Sequence, residues 1–457
     1  MSYEEVLTVF DPPVLEFKAG KKSIDPVQAF AIQGCEPLKV PSIEGPAEIH
    51  VLIPSKLEES ISVMKILQDL RAGKTTGKYA RSKYKPFREL YGLDLEIRAP
   101  EKYDDQSDIY KKITEISRLK NKPSHIVVIV SSSRSQLGGF YYRTKVASIQ
   151  KGVQTQLILQ KTIDSYVRKK TEEEKGDLLW NFSLSIFSKL GGIPWKLQEM
   201  LRGVSAFISL NTVSSYEEEL GITTRGGVVA LEVANSWGDP TGRFFAIDVK
   251  VEREDEEAIV VDLASVNTLL KNALDMIEQR LIDPERSKAD DYIIVHVKDR
   301  YAESVYEAIG KVITSEGFKK YKIIHLQEDG GLRLYDPSQK PTRAWPQEGS
   351  YWYLEDGRIA FLFTLGKWQY SVSAATEPYM IEAKNVSPLQ VNFVNGSKRA
   401  KLTDDDLIHL YHLTRLHYYS ADVPRIKMPS TVRLGQRAAR LAASGLNNSD
   451  FDVSFLY

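Results

Sequence analysis

Cysteine is nearly absent from this sequence: Cys35 stands alone among 457 residues. An internal disulfide and a cysteine-rich zinc site are therefore excluded, and the usage suits a reducing compartment. Long apolar runs are missing as well, none approaching the ~20 residues that a bilayer-spanning helix needs. The opening Met-Ser-Tyr-Glu-Glu-Val has no basic region leading into an apolar core, so no secretory leader is read there. Charge of one sign is not in excess either, because 61 Lys and Arg balance 61 Asp and Glu. Total charge thus decides nothing about nucleic acid, and its distribution must. These absences predict a cytoplasmic protein with two or three domains.

What is present begins with a proline-punctuated arm, 1–45, expected to wrap on something larger. Glu48–Ile53 reads as a strand and Leu57–Leu70 as a helix. Between 71 and 88, Arg71, Lys74, Lys78, Arg81, Lys83, Lys85 and Arg88 are interleaved with Tyr79, Tyr84 and Phe87, with no acidic residue among them. Lys78, Arg81, Lys83, Lys85 and Arg88 are candidate contacts to a nucleic-acid backbone; a solvated charged loop reads the same stretch equally well. Gly73-Lys74-Thr75 is not a phosphate-binding P-loop, because Gln68 stands where the upstream glycine is required.

His125–Val130 is a continuous β-branched run, as in a strand buried on both faces of a parallel sheet. A small polar loop, a helix from about Phe140 and a strand at Val153–Gln160 complete a Rossmann-like unit, without the Gly-x-Gly-x-x-Gly of a dinucleotide site. Ala206–Val213, Gly227–Asn235 and Arg243–Val251 predict an antiparallel meander. Helix Leu263–Leu281, strand Tyr292–Val297, helix Ala302–Ser315 and strand Tyr321–Leu326 follow, which is the order of the RNase H fold. Gly357–Thr364 adds a strand, and helices at Leu407–Tyr419 and Thr431–Ala443 close the chain. His409, His412 and His417 read as partly buried helix histidines rather than metal ligands.

The stretch 181–195 organises the rest. Leu184, Phe187 and Leu190 share one side of a helix, which Gly191-Gly192 stops and Pro194 cannot continue. On pattern alone Lys189 is a surface lysine in the last turn. As words, Lys189-Leu-Gly-Gly-Ile-Pro-Trp195 resembles the junction between the MID and PIWI domains of prokaryotic Argonaute proteins. Upstream, Tyr141-Tyr142-Arg143-Thr144-Lys145 and Gly152-Val153-Gln154-Thr155-Gln156 resemble the MID segment that holds the first phosphate of the guide strand. That resemblance implies a 5′-phosphate pocket made by Tyr141, Lys145, Gln156 and Lys189. Tyr141 and Lys145, four apart, share a helical face; pairing Lys145 with Tyr142 is the alternative register. Tyr142, Val146 and Ile149 are expected toward the core. The resemblance further implies Mg2+ in the pocket, held by the phosphate and the terminal carboxylate of Tyr457.

The PIWI half is expected to resemble RNase H at its catalytic carboxylates, where two divalent metals require several negative ligands. Asn211 stands where active relatives carry the first aspartate. His296-Val297-Lys298-Asp299-Arg300 matches the second motif, with Lys298 at the carboxylate position. Asp299 lies one residue along, which in a strand points to the opposite face unless a bulge intervenes. Gln436 falls near the last ligand position, and the run Glu252, Glu254, Asp255, Glu256, Glu257 holds either a glutamate finger or a solvated turn.

The resemblance thus implies an α/β chain: an arm at 1–45, a Rossmann-like MID domain at 46–200 and an RNase H-like PIWI domain at 201–457. It is to the short MID–PIWI class, in which an inactive PIWI is usual. It implies guided recognition of invading nucleic acid in prokaryotic defence, with an RNA guide and a DNA target. A heteromeric partner protein would fill the place of the N and PAZ domains and link to an effector. The alternatives are a Mg2+- or Mn2+-dependent guided nuclease using Asp299, Asp248 and a nearby glutamate, and a Rossmann-type small-molecule enzyme.

Overall fold

The computed structural model describes residues 8–456 apart from 58–59, 75–82, 120–123, 132–136, 169–171, 200, 215–225, 236–239, 255–257, 282, 329–345, 355–356, 366–386, 399, 419–420, 422–426 and 447–450. Two sheets and the helices packed on them account for most of these. The smaller sheet is built on His125–Ser131, buried along its whole length, with Ala47–Pro54 and Gln154–Leu159 parallel on either side. Leu95–Ile97 and Glu101–Tyr103 extend it, also parallel, along Ala47–Pro54. The β-branched run has its expected cause: both faces are covered, so no polar alternation survives.

The larger sheet contains the predicted meander. Val204–Ser214, Gly226–Asn235 and Pro240–Glu254 pair antiparallel in sequence order. Tyr292–Val297 then joins Val204–Ser214 in parallel, and Lys320–Gln327 joins Tyr292–Val297 in parallel. Leu389–Gly396, Ile359–Leu362 and Ser350–Tyr353 follow antiparallel beyond it. Helices Leu263–Glu278 and Glu303–Ser315 pack their apolar sides on one another and on this sheet. Asp262 starts the first of them by accepting from Ala264 N and Ser265 N, which satisfies two of the donors a helix start leaves open.

Three expectations need correction. The helix after the small polar loop starts at Leu137, not Phe140, so Gly138 and Gly139 lie within its first turn. The helix expected at 407–419 spans Asp404–Leu413, because Thr403 and Asp406 form a capping box that sets its start. The arm is more ordered than proline content suggested. Asp25 caps helix Pro26–Ala31, Leu15–Glu16 pairs with Lys196–Leu197, and Thr8–Val9 pairs with Ser350–Tyr353.

The junction stretch is where the two sheets meet one core. Helix Glu172–Lys189 ends at Gly191, whose φ of +88° suits glycine. A Cβ at Gly192 would lie 2.4 Å from the Phe187 ring, so the turn folds directly back on its own helix. Trp195 is buried; its indole N–H donates to Arg415 O at 3.0 Å and its carbonyl accepts from Tyr418 Oη at 2.7 Å. One hydrophobic core accordingly runs from Leu15 and Phe30 through Trp180 and Phe187 to Leu410 and Leu434. Among the described residues, no helix is long and apolar enough to cross a membrane.

Candidate functional site

A cavity of about 500 Å³ opens between the smaller sheet and the last long helix, Ser430–Ala443. Tyr141, Tyr142 and Lys145 line it from helix Leu137–Gln150, and Leu157, Ile158 and Leu159 from the carboxyl end of the neighbouring strand. Arg433, Arg437 and Arg440 face it from the other side. Placement beyond strand carboxyl ends is where parallel sheets commonly receive ligands.

Lys145 and Lys189 are both buried, only 2% and 3% exposed. The Lys145 ammonium donates to the Thr155 carbonyl. Lys189 Nζ donates to Gln156 Oε1 at 2.6 Å and to Ser185 Oγ at 2.7 Å, while Ser185 Oγ donates to the same Gln156 oxygen at 2.9 Å. Gln156 Nε2 is held by Leu157 O at 3.0 Å. Burial, then the Arg437 charge, pushes Lys145 down to about 7. Burial, Lys145 and Arg437 together push Lys189 well below the usual lysine range. Tyr141 moves the other way: burial raises its hydroxyl, with Arg437 opposing. Its ring meets Tyr142 edge-on at 4.9 Å.

Tyr141, Lys145, Gln156 and Lys189 are therefore gathered around one place. Lys189 is not the surface lysine that its position in a last turn suggested. Val146 and Ile149 face the core as expected; Tyr142 packs against it half-buried and also lines the cavity beside Tyr141, its hydroxyl accepting from Arg440 at 3.2 Å. Among the described residues lining the cavity there is no acidic side chain. Cations drawn together without a carboxylate among them are unfavourable in the free protein and suited to an anion.

Sequence reasoning missed the three arginines. Their spacing was the available signal: Arg433, Arg437 and Arg440 are four and three apart and so share a helical face. Gln436, the candidate read from the sequence on that helix, is half-buried.

The tail turns back to this cavity. Phe451–Asp452 pairs with Pro240–Glu254, Ser454 accepts from Gln154 Nε2 at 2.8 Å, and Phe455 lines the cavity wall. Tyr457 itself lies outside the described residues. A Mg2+ ion does not fit the described lining by itself: Lys145, Arg433, Arg437 and Arg440 line the cavity with no acidic side chain among them, and behind it Gln156 Oε1 is already engaged by Lys189 and Ser185.

The second candidate region is different in kind. Asn211 is buried under helix Ser430–Ala443; its Nδ2 donates to Ser209 Oγ at 2.6 Å and its Oδ1 has no hydrogen-bond partner. A Cβ at Gly435 would fall 2.2 Å from Asn211 Nδ2, so only glycine lets the helix rest there. Strand Tyr292–Val297 ends before Lys298, and the strand-face argument applied to Asp299 does not hold. Asp299 instead turns to the end of the adjacent strand, accepting from Thr212 N at 3.0 Å and Thr212 Oγ1 at 2.8 Å. Lys298 Nζ stands 4.0 Å from Glu328. Side chains of Asp248, Glu252 and Glu254 and the residues Asp255, Glu256 and Glu257 lie outside what is described.

The basic stretch is less free than its sequence implied. Lys78 and Arg81 lie outside the described residues. Lys85 pairs with Glu89 at 3.2 Å and Arg88 with Asp94 at 3.2 Å; Lys83 is half-buried. Tyr84 and Phe87 are core residues, so they are not stacking platforms for bases. The aromatic run Tyr351-Trp352-Tyr353 is also covered in part. Phe10 of the arm stacks on Tyr351 at 4.1 Å, and Trp352 stacks on Phe361 at 4.8 Å.

No protein-family model matches the chain, and no curated protein does. Solved structures do. Clostridium butyricum Argonaute bound to a guide DNA and a 19-mer target DNA matches at 16% identity with a TM-score of 0.71, over 99% of this chain and 54% of that one. Drosophila Piwi matches at 15% identity and TM-score 0.65, over 98% and 55%. Marinitoga piezophila Argonaute in complex with a 5′ OH guide RNA matches at 14% identity and TM-score 0.60, over 96% and 59%. The chain spans just over half the length of these structures and has, across nearly all of its own length, the α/β fold of the Argonaute proteins.

Proposed function

We propose that this chain binds the 5′-phosphorylated end of a guide strand in the cavity between Tyr141 and Arg437, and uses the guide to recognise a complementary strand without cutting it. The observation that carries the reading is buried Lys145 beside Arg437 in a cavity whose described lining holds no acidic side chain, with a second buried lysine, Lys189, close enough behind them to feel both charges. A phosphate brings negative charge to these cations and accepts charge-assisted hydrogen bonds from the ammonium groups. Gln156 holds Lys189 in place, and the Tyr141 ring offers a face to the first base. The helix start at Leu137 lies a full turn from Tyr141, so these side chains carry the site rather than the helix pole.

The test compares 5′-phosphorylated with 5′-hydroxyl guides on the parent and on a chain carrying Lys145→Ala and Lys189→Ala. Each lysine is expected to contribute about 1.5–3 kcal/mol, or roughly one to two decades of affinity. Equal binding of both guides by both proteins rejects the pocket.

Absence of cutting is supported by Asn211 and Lys298. The first is neutral and buried beneath a helix, the second cationic, and two metals require negative ligands. Guided cleavage with Mg2+ or Mn2+ that is lost in Asp299→Ala would favour the nuclease reading instead. The division into an arm at 1–45, a MID domain at 46–200 and a PIWI domain at 201–457 belongs to the same proposal. So do an RNA guide, a DNA target, a cytoplasmic setting, a defence role, and Mg2+ shared between the phosphate and the carboxylate of Tyr457. The separately encoded partner protein rests on the resemblance alone, since the arm and Tyr351 cover one another. The native mass of the complex under mild salt tests it: a bare 51.7 kDa chain carrying nucleic acid, fully active without its genomic neighbours, rejects it.

A further inference from the structure

On the smaller sheet, at the end away from the cavity, lies a cluster that the guide-binding reading does not use. Glu48 and His50 alternate on one strand, so their side chains share a face. His125 opens the neighbouring parallel strand, in register with Glu48. His50 Nε2 stands 3.1 Å from His125 Nδ1, and Glu48 Oε2 lies 3.8 Å from the first and 3.7 Å from the second. We propose that Glu48, His50 and His125 bind one divalent transition-metal ion of the zinc type.

The distances carry this. At 3.7 and 3.8 Å the carboxylate oxygen is too far from either ring nitrogen for a hydrogen bond. Three donors around an ion at zinc–nitrogen and zinc–oxygen bond lengths stand about 3.3–3.6 Å apart, which these spacings bracket. The point equidistant from the three atoms in their own plane lies about 2.1 Å from each, and an ion drawn slightly out of that plane by a fourth ligand stays near the bonding range of zinc to imidazole and carboxylate. No side chain has to move far. A proton shared between the two rings needs only to pass to the outer nitrogen of its own imidazole to leave both inner nitrogens free to bind.

The surroundings suit such a site. Both imidazoles are buried, at 10% and 6% side-chain exposure, while Glu48 at 23% leaves a way in from solvent. Arg98 donates to Glu48 Oε2 through Nε at 2.9 Å and Nη2 at 2.8 Å. It orients the carboxylate as outer partners of metal ligands do, and the ion would share that oxygen with it or take Oε1. Lys112, whose charge acts on His50, is itself paired with Glu101 at 2.6 Å. Two nitrogens and one oxygen favour zinc or its neighbours over magnesium or calcium, which prefer oxygen throughout. Three protein ligands leave a fourth position for water. Because two ligands come from Ala47–Pro54 and one from the adjacent His125–Ser131, the ion would tie those two strands together.

The experiment uses the untagged full chain, stripped with chelator and dialysed against Zn2+, with bound metal counted by mass spectrometry. One ion per chain is expected, lost in His50→Gln and in His125→Gln and weakened about tenfold or more in Glu48→Gln. Co2+ added to the parent is expected to give the strong visible bands of a four-coordinate site. This second readout needs no variant and stands even where a substitution impairs folding. A parent that binds no stoichiometric Zn2+ and gives only the weak spectrum of hydrated Co2+ overturns the site, as does undiminished binding by a folded His125→Gln chain.

Discussion

Lys189 Nζ lies 2.6 Å from the side-chain oxygen of Gln156, so in the free protein a neutral amide stands where a counter-ion would otherwise be. The amide accepts a hydrogen bond from Lys189 without offering it a compensating charge, so a negatively charged ligand is what would favour the ammonium form.

Replacing this amide by the isosteric acid is therefore informative. Gln156→Glu is expected to stabilise the free protein by giving Lys189 an ion-pair partner, and to lower affinity for a 5′-phosphorylated strand by about tenfold or more. Denaturant titration and direct binding measure the two effects. Unchanged affinity would mean that Gln156 does not face the ligand.

Lys145, held down to about 7 from the usual 10.5, makes stability depend on pH. Between those values the unfolded chain binds a proton that the folded one does not, so this group's contribution rises with pH from 7 to 10.5 and is most unfavourable below 7. Urea unfolding should show Lys145→Met more stable than the parent near pH 7, with the gap closing as pH rises. A bound phosphate restores the charge, so binding at about pH 8.5 should take up a proton. Calorimetry in buffers of different ionisation enthalpy reads that directly, and no uptake removes Lys145 from the site.

Gly435 sets how closely the last helix approaches Asn211. Its replacement by alanine, normally helpful in a helix by up to ~1 kcal/mol, should here cost about 1–3 kcal/mol through overpacking. Adding Asn211→Ala should relieve most of the loss, an interaction that a double-mutant cycle isolates. A more stable Gly435→Ala chain would contradict the close approach.

Asn211→Asp tests whether a restored carboxylate suffices for cutting. The position is buried and its amide oxygen already lacks a partner, so a negative charge there should destabilise the fold by about 1–3 kcal/mol or more. No Mg2+-dependent cleavage of a labelled target is expected, since Lys298 and Gln436 remain. Cleavage by this variant would show that one carboxylate had been the only deficit.

Most of the fold was legible in the residue pattern. Local signals suffice for the strand His125–Ser131, marked by its β-branched run, and for the meander between 204 and 254. Burial on one or both faces imposes a residue pattern that can be read directly. The motif words placed Lys145, Gln156 and Lys189 in one expected pocket, but pattern alone made Lys189 a surface residue. Its buried ammonium is held by Ser185, one turn earlier in the same helix, and by Gln156 on a separate strand.

Other differences came from partners lying outside the stretch being read, some close by and some far along the chain. Lys85 and Arg88 looked uncompensated within 71–88, yet Glu89 and Asp94 lie just beyond and fold back to them. Strand alternation does not apply to Asp299, because the strand ends at Val297 and its carboxylate is taken by Thr212 of a strand far earlier in the chain. By itself the sequence determined which segments become helices and strands, since that follows from periodicity, caps and turns within reach of a few residues. Only the tertiary structure decided that Arg437 joins Lys145, that Gly435 closes over Asn211, and that Glu48, His50 and His125 surround one point. Those depend on strand register and helix seating, where a shift of one residue moves a side chain to another face.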